Sequence, residues 1–108
     1  MRRAAAWVLL GMAAVSTAIA GHVFGTIREN NQPVRGAAVT LRCGNEAPGG
    51  TTDQEGMYRL FARTTGACTL EVNAGGRHAV GPLYSYDKPT AYDFDLVHDG
   101  KSWVLRRR

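Results

Sequence analysis

From Gly21 onward, apolar and polar residues alternate in short runs with a period of two, and no stretch repeats at the spacing of a helix. In Gly21 to Arg28, Val23, Gly25 and Ile27 fall on one side and Phe24, Thr26 and Arg28 on the other. Ala38 to Cys43 sets Val39, Leu41 and Cys43 against Thr40 and Arg42. Met57 to Ala62 carries apolar residues on both faces, Tyr58, Leu60 and Ala62 on one and Met57 and Phe61 around Arg59 on the other, so either could be the core face. Cys68 to Ala74 alternates most cleanly: Cys68, Leu70, Val72 and Ala74 share one face. The next run opens at Arg77, breaks at Gly81-Pro82 and resumes from Leu83 to Tyr86. Thr90 to Val97 sets Tyr92, Phe94 and Leu96 against Asp93, Asp95 and Val97, and Trp103 to Leu105 gives a short last strand.

Turn chemistry separates these runs. Pro33 cannot donate to a ladder, so the chain turns over Glu29 to Pro33, and the Gly-rich Gly44 to Gly50 reads as a surface loop. Asp53 can cap its own turn, and Gly56 can take the positive φ that closes it before Met57 starts a strand. Gly75-Gly76 suits a type I′ hairpin, and Asp87-Lys88-Pro89 and Asp99-Gly100 mark two further reversals. The expectation is an all-β domain, a Greek-key sandwich of about seven short antiparallel strands.

The first 20 residues are left out of that fold. Arg2 and Arg3 form a charged start, Ala4 to Val15 an apolar run, and Ala18-Ile19-Ala20 a small-x-small cleavage site, the signature of a secretory signal peptide. The apolar run falls short of the roughly 20 residues needed to span a bilayer. Residues 1–20 are therefore expected to be removed, leaving 21–108 as one secreted or periplasmic domain with no membrane span. Removing Arg2 and Arg3 takes basic residues from 13 to 11 against 9 acids, so the formal charge falls from +4 to +2. Charge then points to no partner, and nucleic acid is excluded for want of a basic face. Arg106-Arg107-Arg108 reads as a solvated tail. Export, a count of two and positions on inward faces predict that Cys43 and Cys68 form a disulfide.

Three pieces resemble the carboxypeptidase regulatory-like domain, a transthyretin-like (prealbumin-like) β-sandwich of secreted proteins. They are Gly25-Thr26-Ile27 with Pro33 to Leu41, then Thr52 to Leu60, then Gly66 to Val72. Cys68 departs from the pattern, which commonly has an aromatic there. The resemblance implies an accessory module that aids folding, binds carbohydrate or mediates contacts.

The search for chemistry adds little to that. His22, His78 and His98 stand singly, without the spacing of a zinc site. Cleavage after Ala20 would give Gly21-His22 a free amine, amide and imidazole able to chelate Cu(II), a minor reading for His22. No nucleophile motif is present, and the hydrolases of transthyretin-like fold end in Tyr-Arg-Gly-Ser where this chain ends in three arginines. Asp93 and Asp95 read as solvent-facing residues rather than a catalytic pair. The expectation is a non-enzymatic module without cofactor or catalytic residues. Tyr84, Tyr86, Tyr92 and Trp103 are its candidate ligand platform, because Tyr84 and Tyr86, about 7 Å apart on one strand face, could stack on successive sugars. The alternative is a structural or interaction subunit for another secreted protein.

Overall fold

The computed structural model describes residues 21–108, so the expected signal peptide lies outside the described residues. The strands run in the order β1 (His22–Glu29), β2 (Gln32–Pro33), β3 (Ala38–Arg42), β4 (Gly49–Thr51), β5 (Met57–Phe61), β6 (Gly66–Ala74), β7 (Arg77–Ser85), β8 (Thr90–Ala91), β9 (Phe94–His98) and β10 (Trp103–Arg107). One sheet is ordered β10-β9-β1-β2, with β5 and β8 also pairing to β1, and the other β4-β3-β6-β7. The sandwich is all-β, as the alternation requires. Among the described residues no helix is long and apolar enough to cross a membrane.

The inward residues are those that alternation selects. Val23, Ile27, Leu60, Phe94 and Leu96 of the first sheet and Val39, Leu41, Leu70 and Val72 of the second are all buried. Each such side chain stabilises by about 1.5 to 3 kcal/mol relative to exposure. The ambiguous face of β5 is decided by its antiparallel register with β1, which sets His22 opposite Phe61 and Phe24 opposite Arg59. Tyr58 and Leu60 therefore point inward. The buried Tyr58 hydroxyl is satisfied by donating to the Tyr92 carbonyl at 2.7 Å.

Three local expectations are corrected. The end of the Gly44 to Gly50 loop is strand: Gly49, Gly50 and Thr51 pair with Thr40, Val39 and Ala38. Gly81-Pro82 does not break β7, because β7 is an edge strand, where a residue without an N–H is tolerated. The Thr90 to Val97 strand is divided into β8 and β9, and both run parallel to β1, so the sheet is not wholly antiparallel. The division lies where Asp93 Oδ1 accepts the Thr26 backbone N–H at 2.9 Å. Gly25 allows this approach, since a Cβ there would sit 1.9 Å from the Tyr92 carbonyl oxygen.

The turn before β5 forms as its residues predict. Asp53 Oδ1 accepts from the Glu55 and Met57 N–H groups, each at 2.9 Å, and Gly56 has φ +76°. The predicted disulfide also forms, joining Cys43 at the end of β3 to Cys68 of β6.

Candidate functional site

The outer face of the first sheet gathers the residues that alternation points away from the core. From β1 come His22, Phe24, Thr26 and Arg28, and from β5 Met57, Arg59 and Phe61. The His22 ring stacks on Phe61 with centroids 4.6 Å apart and planes 17° apart, and lies 4.9 Å from Phe24. Its Nε2 is shut from solvent and has no hydrogen-bond partner. Loss of hydration first, and then the charge of Arg59, lower the imidazole's pKa, so the ring is neutral at pH 7. Arg28 Nε and Ser85 Oγ are also buried without partners. His22 is the one that combines an unused nitrogen with proton-transfer chemistry.

Farther along the same face, Asp93 Oδ1 also accepts from the Thr26 hydroxyl at 3.0 Å, and Arg108 Nη2 donates to that hydroxyl at 3.1 Å. Arg108 Nε stands 3.5 Å from Asp95 Oδ1. Arg107 lies over the Tyr92 ring, 4.5 Å from its centroid. Arg107 and Arg108, though exposed, are thus held against the sheet at the end of β10 rather than trailing as a free tail. Asp93 and Asp95 are likewise tied into the sheet.

The four aromatics expected to form a platform are not one surface. Tyr84 and Tyr86 are exposed on β7 and just beyond it, but their rings lean together at 4.8 Å instead of lying in a row. Tyr92 is buried, its hydroxyl donating to the Tyr84 carbonyl at 3.0 Å and accepting from the Tyr84 N–H at 3.1 Å. Trp103 packs against the core on β10, with Arg77 above its ring and His98 at its edge. His78 belongs to the second sheet's outer face, where it and Arg42 share the Glu71 carboxylate. Those two bonds, His78 first, hold the Glu71 pKa below its usual value. Among the described residues no three His, Cys, Asp or Glu side chains converge as a metal site, and the neighbours of His22 are rings.

Sequence reasoning missed Phe24, Arg59 and Phe61 as companions of His22. The available signal was the parity of two strands: once β1 pairs with β5, the outward set of each meets the other.

No protein family's sequence profile matches the chain, and no curated protein matches it. Among solved structures the chain is similar to the 5-hydroxyisourate hydrolase of Klebsiella pneumoniae, with a TM-score of 0.59 and 15% identity over 82% of this chain and 98% of that one. This likeness corrects the expected non-catalytic role, whether as glycan-binding module or as interaction subunit, because a hydrolase shares the fold from which that role was inferred. The same fold is thus found in an enzyme, although this chain still ends in three arginines. What it shows of the chain itself is the transthyretin-like fold.

Proposed function

We propose that the chain is a hydrolase of a small planar carbonyl compound, working from the outer face of the first sheet with His22 as general base. The observation that carries this reading is the neutral imidazole of His22, whose Nε2 is unpartnered between Phe24 and Phe61. A neutral imidazole takes the proton from water as the water oxygen bonds to the carbonyl carbon. The proton then passes to the leaving nitrogen or oxygen, so that one water is added across the broken bond. The Arg59 guanidinium, the cross-strand neighbour of Phe24, supplies positive charge for the oxyanion. The aromatic rings offer flat faces for a planar substrate, and the half-exposed Phe61, stacked on His22, has to move aside for a substrate to reach Nε2. The disulfide fits an oxidising compartment, so the reaction belongs outside the cytosol.

The first substrate to test is 5-hydroxyisourate, by following its loss against a buffer blank. Activity abolished in His22→Gln, with the melting temperature retained, is the expected result. Wild-type turnover that survives His22→Gln would remove His22 from the chemistry. A wild type inert toward 5-hydroxyisourate and a panel of lactams and activated esters would end the hydrolase reading.

A further inference from the structure

The two sides of the sandwich end differently. On one side β10 of the first sheet packs beside β7 of the second, with Gly81 lying under Leu105. On the other, β5 and β4 are both terminal strands, and among the described residues neither has a strand partner on its outer side.

The hydrogen-bond parity of β5 shows which groups that edge leaves open. Ala62 N–H donates to the Gly21 carbonyl and Ile27 N–H to the Gly56 carbonyl, so the alternate residues Tyr58 and Leu60 direct their backbone groups to β1. Met57, Arg59 and Phe61 direct theirs outward. Met57 is already occupied, its N–H by Asp53 Oδ1 and its carbonyl by the Asp53 N–H. The N–H and C=O groups of Arg59 and Phe61 have no backbone partner among the described residues. Those of Arg59 border a hollow of about 290 Å³ lined by Thr51, Asp53, Met57, Tyr58 and Arg59. Nearby, Gly49 and Gly50 of β4 present no side chain to block approach.

We propose that this open edge of β5 binds an extended peptide carrying an acidic residue between two apolar ones. Unpaired N–H and C=O groups recurring every second residue match an extended backbone, which presents the same groups at the same period. The side chains select the sequence. In an antiparallel addition the residue opposite Arg59 meets an exposed guanidinium with no carboxylate partner among the described residues, and an acid there is complementary. The residue two along on one side lies over exposed Phe61; the one on the other side leaves the ladder, where Asp53 already occupies the Met57 backbone, and meets only the exposed Met57 side chain. A second copy of this chain fits poorly, because a two-fold pairing centred on Arg59 sets guanidinium against guanidinium.

The test titrates the uniformly ¹⁵N-labelled protein with a capped pentapeptide, Val-Thr-Glu-Thr-Val, and reads amide shifts and hydrogen exchange at Arg59 and Phe61. Binding should shift and protect both amides. It should weaken about tenfold when Lys replaces the central Glu, and that difference should shrink at high salt. Methylating the backbone nitrogen of the central Glu should abolish it. No change at these amides up to about 5 mM peptide overturns the proposal. So does equal binding of the Lys peptide, or protection that grows with protein concentration in the absence of peptide, which would assign the edge to a second copy. The readout involves no turnover, so its outcome is separate from that of the hydrolase assay.

Discussion

Cys68 stands directly opposite Cys43, one register step beyond the Arg42–Thr69 pair of β3 and β6, with Cα atoms 4.6 Å apart. That is the spacing of a non-hydrogen-bonded antiparallel pair, so the bond joins strands that the ladder already holds together. Its effect lies chiefly in the unfolded chain, where it closes a loop across a separation of 25 residues. Replacing both with Ala should remove about 3.5 kcal/mol, a large share of the stability of so small a domain. Denaturant unfolding of the double variant beside the wild type measures this, and an unchanged midpoint would show that the ladder alone suffices.

Gly56→Val should be among the most damaging single changes at a turn. Besides φ +76°, a Cβ at this position would lie 2.6 Å from the Ile27 carbonyl oxygen, the backbone of the central strand. Strain and clash together should reach about 3 kcal/mol or more. Gly56→Ala, with the same Cβ, should also destabilise clearly, and thermal melting of both variants checks the steric argument against simple β-branching.

Acid should weaken the fold through His22 before it acts through the carboxylates. Because burial and Arg59 lower the folded-state pKa below the ordinary histidine value of 6.5, the unfolded chain binds more protons between the folded value and 6.5. Stability contributed by the neutral ring is therefore present above pH 6.5 and lost as pH falls through that window. Glu71 and Asp99 are also held below their usual values, by His78 and Arg42 and by the Ser102 and Lys101 N–H groups, and their contributions fade only below about pH 4.5. Melting temperatures from pH 4 to 8 should show a limb descending as pH falls below 6.5 that His22→Gln abolishes and Glu71→Gln leaves in place.

Tyr58→Phe deletes the hydroxyl that donates to the buried Tyr92 carbonyl at 2.7 Å. Stability should fall by about 1 to 2 kcal/mol, because the carbonyl stays buried without that partner. Burial, then the charges of Asp93 and Tyr92, also push the Tyr58 pKa up. In a spectrophotometric titration its phenol should therefore ionise only as the protein unfolds at high pH.

Much of this structure can be read from local pattern. The inward sets of β1, β3 and β6, the Asp53–Gly56 turn and the Gly75-Gly76 hairpin are each decided by residues within a few positions of one another. Positive φ at both Gly75 and Gly76 follows from that local chemistry. What escaped depends on partners distant in sequence. Gly81-Pro82 looks like a break until β7 is known to be an edge strand. The loop ending in Gly49 and Gly50 becomes a strand because β3 lies beside it. His22 looks solitary because Phe61 and Arg59 reach it only through the β1–β5 register. The docked arginines depend on Thr26 and Tyr92, the first of them 82 positions before Arg108.

The placement of β1 at the centre of its sheet governs the order in which the protein can form. Its neighbours on one side are β8 and β9, and the Thr26–Asp93 bond spans 67 positions. A chain emerging from its N-terminal end can assemble the β3–β6–β7 meander early, since those strands are joined by nearby turns. The first sheet must wait until β9 has been made, so the slow step of folding should be the capture of β1 between β5 and β9. Until β1 is captured, His22 and Phe24 remain solvated, so the outer face that carries them takes shape only as the first sheet closes around β1.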